Sequence, residues 1–434
     1  MTSQTLLSLN YTYHVTMGDI HVQSLLGSGT QGEVYKITLN GTPYALKIYF
    51  PNQVHDDLIE SISLLIEKGS PTKHFIWPIY QVEIDQFHGY IMPLIEKRFH
   101  KFTEWVTRKI DMNLYEITQS CLMLVESFHQ LHAKGLSYQD ISYNNIMIDP
   151  KNGEILIIDN DNVTTNQESV NGVYGTAGFM APEIVEERSM PNADTDRYSL
   201  AIFLFIFLMI GHPFHGVLEL KIKCFDEIAA KRLYGDQAVF IFDPNRSENR
   251  PDPNEHRGVI KLWKMYPKFI KDLFIQTFTE GILNPSRRVR ESEWKDAFVA
   301  LESSLYHCTC GKELIYDQYD LMLTKKHKTC MCGLSIEPAR IKMPNHILVI
   351  EDKKTIKNIL FNKRIDFESS MDYALIKKNQ SDYVLVNQFD ESITKLSKNG
   401  LVEDIKVNQS SILKNDDILQ IKGQKCYVRI PQTK

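Results

Sequence analysis

Residues 131–148 read Leu-His-Ala-Lys-Gly-Leu-Ser-Tyr-Gln-Asp-Ile-Ser-Tyr-Asn-Asn-Ile-Met-Ile. The stretch sets Asp140 five residues before Asn145 and closes on an apolar run. An aspartate placed so can accept the proton of an attacking hydroxyl, and the asparagine can offer an oxygen to Mg2+. A turn signal follows, Asp149-Pro150-Lys151-Asn152-Gly153, and then the apolar strand Ile155-Leu156-Ile157-Ile158 ends on Asp159-Asn160-Asp161. A carboxylate at Asp159 can bridge a metal ion and phosphates. Taken singly, each aspartate could serve as a turn residue or helix cap.

Upstream, Leu26-Gly27-Ser28-Gly29-Thr30-Gln31-Gly32-Glu33-Val34 is G-x-G-x-x-G-x-V between two strand signals. Glycines let backbone N–H groups approach phosphates closely. Lys47 stands thirteen residues past Val34, in the apolar strand Tyr44-Ala45-Leu46-Lys47. Residues 56–68 carry Leu58, Ile59, Ile62, Leu65 and Ile66 on one face, which predicts a helix. Glu60 and Glu67 are carboxylates of that helix, and either could lie on a solvated face. Downstream come Gly175-Thr176-Ala177-Gly178-Phe179-Met180-Ala181-Pro182-Glu183 and, after Asp196, the unbroken apolar run Leu200–Ile210 of a buried helix.

The glycine loop, the A-x-K strand, the D-x-x-x-x-N loop and the strand-terminal aspartate, in this order, resemble the eukaryotic-like Ser/Thr protein kinases over residues 20–305. The wording of residues 140–145, 158–163, 178–183, 212–216 (His-Pro-Phe-His-Gly) and 89–94 resembles one bacterial group more closely. That group comprises the kinases of tellurium-resistance-like triads, which stand beside a metal-dependent phosphatase and a von Willebrand A-type protein. The resemblance implies an α+β chain: a bilobal kinase fold, lobes at 1–95 and 96–305, followed by a zinc-ribbon-like segment and an all-β sandwich. It implies Lys47, Asp140, Asn145 and Asp159 as catalytic residues, with Asn145 and Asp159 on Mg2+ or Mn2+. ATP would meet Gly27, Gly29, Gly32, Val34, Ala45, Lys47, Glu60, Met92, Leu94 and Met147. The resemblance also implies that a helix carboxylate, Glu60 in preference to Glu67, holds Lys47 and that Arg288 pairs with Glu183.

The chain departs from that pattern around the reacting groups. Ser142 replaces the usual lysine two residues past the aspartate, and Asn144 stands where tyrosine kinases carry arginine. Loss of such a preorganised charge costs roughly 10²–10³ in rate, unless another cation, Lys134 or a substrate group, fills in. Gln139 removes the usual receptor of a phosphorylated loop, which favours regulation by partner or metal, with Thr164, Thr165 and Ser169 the phosphorylation candidates. Tyr138 replaces His, and Asn160-Asp161 replace Phe-Gly, so the packing behind the metal site differs.

Four of the seven cysteines form two near-identical turns, Cys308-Thr309-Cys310-Gly311 and Cys330-Met331-Cys332-Gly333. Four converging thiolates suit tetrahedral Zn2+, and residues 306–335 are too small to bury a core without a metal, so a structural zinc is expected there. His307 and His327 flank the pairs as bystanders. Residues 344–434 read as a β-sandwich whose last strands (413–421, 426–430) resemble forkhead-associated domains, although the Gly-Arg and Ser-x-x-His elements that bind phosphothreonine there are missing.

Net charge is −5 over 434 residues, but residues 334–434 hold 17 Lys and Arg against 13 Asp and Glu, which sets the tail apart. The balance excludes a general nucleic-acid binder. No apolar run reaches membrane-spanning length, the N-terminus lacks a signal-peptide pattern, and paired cysteines suit a reducing compartment. A cytoplasmic enzyme that phosphorylates Ser or Thr of a partner protein is the leading reading. The competitor is a pseudokinase scaffold, and a third reading transfers phosphate to a small molecule. Retention of Asp140 favours the enzyme, and loss of the plus-two lysine favours the scaffold.

Overall fold

A computed structural model describes residues 5–165, 174–317, 328–344, 346–357, 360–361 and 372–431. Ser169 and His327 lie outside the described residues. The chain divides into two compact units, residues 1–111, 123–256 and 275–289 in one, and 112–122, 257–274 and 290–434 in the other.

The first unit opens with an antiparallel sheet of β1 (Tyr11–Val15), β2 (Gly18–Ser28), β3 (Gly32–Leu39), β4 (Thr42–Tyr49), β5 (Tyr80–Ile84) and β6 (Phe87–Pro93), in spatial order β1-β2-β3-β4-β6-β5. Its apolar face, with Ile20, Val22, Tyr35, Ile37, Leu46, Ile48 and Ile91, forms the core of this lobe. One helix, α1 (Asp56–Lys68), starts where the His55 ring accepts the Leu58 N–H and stops at Gly69, whose φ is 66°. The range matches the sequence expectation because the apolar spacing, two acidic residues in the first turn and the glycine stop all agree. Gly32 is fixed by the sheet itself, since a Cβ there would lie 2.0 Å from the Ile48 carbonyl oxygen. Gly27 and Gly29 face open space.

The rest of this unit is mainly helical. The helix Ala193–Met209 is buried on every side from Leu200 to Met209 and starts with an Asn192–Thr195 capping box. Asp196, in its first turn, is 1% exposed. It accepts the N–H groups of Tyr138 and Gln139 at 2.6 and 3.0 Å and contacts His132 at 3.0 Å, so the central helix holds the 138–145 loop. Two short ladders frame that loop: Leu136–Ser137 pairs with Thr164–Thr165, and Ile146–Ile148 with Ile155–Ile157. Arg288 donates to both oxygens of Glu183 at 2.7 and 2.6 Å, lies over the Tyr198 ring and bonds the carbonyls of Gly281 and Asp194. A buried guanidinium needs such complete pairing.

In the second unit the strand-rich tail forms two larger antiparallel sheets. The first runs in the order Ile347–Val349, Arg340–Lys342, Gln424–Arg429, Ile418–Ile421, Ile393–Leu396, Val402–Ile405. The second runs Lys354–Lys357, Asp372–Asn379, Asp382–Asn387, Ser410–Leu413. Their inward residues, among them Ile341, Leu348, Ile376, Leu385, Leu419 and Val428, share one core. The all-β expectation for the tail holds.

Candidate active site

Lys47 and Tyr49 share one face of β4, as residues two apart on a strand do. Val34 and Tyr90 flank Lys47 on the neighbouring strands. Below them, the strand Ile155–Ile157 delivers Asp159 in a left-handed conformation, φ 62°, which tightens the turn into Asn160-Asp161-Asn162. Asn160 secures that turn by donating to the carbonyls of Ile76 and Ile157 at 2.8 and 3.0 Å. The Tyr138 phenol donates to the carbonyl of Ile158, so this tyrosine ties the 138–145 loop to the Asp159–Asn162 turn.

A cavity of about 530 Å3 opens between sheet and loop. Gly27, Gly29, Gly32, Val34, Ala45, Lys47, Met92, Leu94 and Met147 all line it, together with Asn145 and Asp159. Glu60 does not. It lies exposed on α1, as does Glu67, while that helix turns Leu58, Ser61, Ile62 and Leu65 inward. The expected helix carboxylate is therefore corrected, because the packing face of α1 is apolar. Lys47 Nζ instead donates to Asp161 at 2.6 Å, Asp159 at 3.0 Å and the side-chain Oε1 of Gln31 at 3.1 Å.

These contacts set the charges. Burial drives the Lys47 ammonium down, but Asp161 and Asp159 outweigh it and hold its pKa above the usual value. Burial and then the Asp161 charge push Asp159 up to about 6. Burial also opposes ionisation of Asp161, yet Lys47 and the Tyr49 hydroxyl keep its carboxyl below the usual range.

Asp140 lies at the other end of the constellation. One carboxylate oxygen accepts the Thr176 hydroxyl at 2.6 Å and the other the Asn145 amide at 3.0 Å. That arrangement aims the carboxylate and leaves Asn145 its carbonyl oxygen as a ligand atom. Ser142 is 1% exposed, and its hydroxyl has no partner among the described residues. Lys134 does not replace the missing lysine, since its ammonium caps α1 through the carbonyls of Lys68 and Gly69 at 2.7 and 3.0 Å.

A protein kinase domain family model matches residues 20–290. The chain belongs to the protein kinase domain family. It is similar to human beta-adrenergic receptor kinase 1, 24% identical over 213 residues, which are 46% of this chain and 30% of that protein. It is also similar to mouse protein kinase C delta type, 25% identical over 46% of this chain and 31% of that protein. A rice relative, CBL-interacting protein kinase 4, is 26% identical over 39% of this chain and 38% of its own length. The matched stretch thus covers about a third of the length of these relatives.

Sequence reasoning missed Gln31, Tyr49, Asp161 and Thr176 as contributors. Thr176 and Gln31 sat inside quoted motifs with a polar side chain beside glycine, which is a usable signal. Asp161 was expected only to alter the packing where Asn160-Asp161 replace Phe-Gly, yet it is 0% exposed.

The second unit holds a separate cluster. The sulfurs of Cys308, Cys310, Cys330 and Cys332 lie within 4.8 Å of one another, with Cys308–Cys332 at 3.7 Å and Cys310–Cys330 at 3.6 Å. Zn–S bonds of 2.3 Å in a tetrahedron put sulfurs about 3.8 Å apart, so the thiols fit zinc. Each pair is presented by the same turn, with Gly311 N–H on the Cys308 carbonyl and Gly333 N–H on the Cys330 carbonyl, both glycines at positive φ. The Cys310 N–H draws the Cys308 thiol down to about 7. His307 is engaged by Glu313 and Glu351 at 2.8 and 2.7 Å through both ring nitrogens, which leaves it no ligand atom.

Proposed function

We propose that this chain is an ATP- and Mg2+-dependent protein kinase that phosphorylates Ser or Thr of a partner protein. The supporting observation is that Lys47, Asp159 and Asn145 line one cleft, with Asp140 beside it, bonded to the Asn145 amide and to the Thr176 hydroxyl. Asp140 accepts the proton of the incoming hydroxyl, and Lys47 orients the phosphates. Asp159 and Asn145 would hold the metal ion, which neutralises charge on the transferring phosphoryl group when bound. Radiolabelled phosphate transfer to protein, lost in the Asp159→Ala variant, tests the reading.

The finer wording of the motifs favours a bacterial, cytoplasmic kinase whose partners are a von Willebrand A-type protein and a metal-dependent phosphatase. We further propose that 306–335 is a zinc-ribbon-like segment with a structural Zn2+ on its four cysteines, and that 344–434 is forkhead-associated-like. The candidate nucleotide site would then use Gly27, Gly29, Gly32, Val34, Ala45, Met92, Leu94 and Met147 around ATP.

The pseudokinase scaffold stands as a second reading because a buried Ser142 takes the place of the plus-two lysine and Lys134, the candidate substitute, is spent on α1. Nucleotide binding without transfer to any product of the neighbouring genes would favour it.

A further inference from the structure

Lys47 meets two carboxylates, and they differ in setting. The Asp159 side chain is 39% exposed and lines the cavity, whereas that of Asp161 is 0% exposed and does not. We propose that Asp161, steadied by Tyr49, is the positioning residue for Lys47 and does the work that the kinase resemblance assigns to a carboxylate on α1. The proposal rests on the nucleotide-binding reading above.

The geometry supports it from three sides. Asp161 Oδ2 accepts both the Lys47 ammonium and the Tyr49 hydroxyl, which project from one face of β4. A carboxylate buried this deeply persists as an ion only with a paired cation, and Lys47 is the cation bonded to it. Where α1 approaches, Leu58 and Ile62 pack with Tyr49 and Tyr90, so the side of the helix that would present a carboxylate is apolar. The Asn160 bonds to Ile76 and Ile157 fix the turn between the two aspartates.

The two carboxylates therefore divide their tasks. Asp159 faces the cavity and is available to a metal ion. Asp161 stays behind the lysine and keeps its ammonium directed at the phosphate end of the cleft when Asp159 is otherwise engaged. Because no side chain of α1 holds Lys47, displacement of that helix would not release it, and a helix-out switch of the kind that breaks a lysine–glutamate pair is absent from this design.

The test compares affinities for ATP and for adenosine, which has no phosphate, in the full-length chain by titration calorimetry. Asp161→Asn should weaken ATP about tenfold or more, the usual size of a lost charge-assisted bond, and change adenosine less than twofold. Removal of a carboxylate by itself favours a polyanion, so an ATP-selective loss can arise only through a misplaced lysine. Added to Lys47→Met, the substitution should cost nothing further. Tyr49→Phe should give a smaller loss of the same selectivity, about threefold, and it decides the matter by the same ratio if Asp161→Asn does not fold. Glu60→Gln and Glu67→Gln should leave both affinities unchanged. Equal weakening of ATP and adenosine, undiminished ATP affinity in folded Asp161→Asn, or an ATP-selective loss in Glu60→Gln would each overturn the proposal. Wild-type protein that binds adenosine and ATP equally well would instead refute the phosphate-anchoring reading of the cleft, and the proposal with it.

Discussion

The candidate nucleotide cleft and the four-cysteine cluster are assembled in opposite ways. At the cysteines, two copies of one short turn each bring two sulfurs together, and the hydrogen bonds that shape each turn stay within five residues. In the cleft, Lys47 is held by partners 16, 112 and 114 residues away, and Asp140 by Thr176 at a separation of 36. A local site carries its geometry in its spacing. A site built across the chain shows which atoms act but hides the atoms that hold them.

If that contrast is right, damage should stay where it is made. Asp159→Ala should reduce phosphate transfer at least about 10³-fold, on the scale of losing a preorganised charge, while any zinc content of the tail is unchanged. A variant that loses both transfer and zinc would break the separation. The converse change, Cys308→Ser with Cys330→Ser, should abolish binding of about one Zn2+ per chain and remove hydrogen-exchange protection from residues 306–317 and 328–335. Transfer should continue. Elemental analysis and a kinase assay of the same preparation read both outcomes.

Arg288→Met probes the long-range style of construction itself. It leaves Glu183 without its partner, and breaking a buried pair costs about 3–5 kcal/mol. Denaturant unfolding should register the loss, with the midpoint shifted and transfer at low temperature retained. A shift under 1 kcal/mol would mean that the Glu183 carboxylate finds water instead.

The smallest effect concerns Lys134. Its ammonium satisfies two carbonyls at the end of α1, so Lys134→Met should cost under about 1 kcal/mol and leave kcat unchanged. A large fall in kcat with normal stability would restore it as the cation missing at Ser142.

The fold was legible where chemistry is repeated or periodic. The range of α1 followed from apolar spacing and a glycine stop, the buried helix from its eleven apolar residues, and the cysteine turns from their own symmetry. The helix carboxylate was misplaced because a surface glutamate and a buried one look alike in a sequence. Only packing reveals that Leu58 and Ile62, not Glu60, face Tyr49. Asp161 escaped notice for the same reason, since its burial depends on β4 arriving from more than a hundred residues upstream. Asp140, by contrast, stood out through the order of the glycine loop, the A-x-K strand, its spacing to Asn145 and the strand-terminal Asp159 taken together.

The central claim is phosphate transfer with Asp140 as the base. Incubating the full chain with Mg2+ and γ-labelled ATP, alone and with the protein products of neighbouring genes, should give label on Ser or Thr. Asp140→Asn should bind ATP as the wild type does and transfer at least about 10²-fold less label, the lower end of a general base's contribution. Equal labelling by wild type and Asp140→Asn would contradict the account.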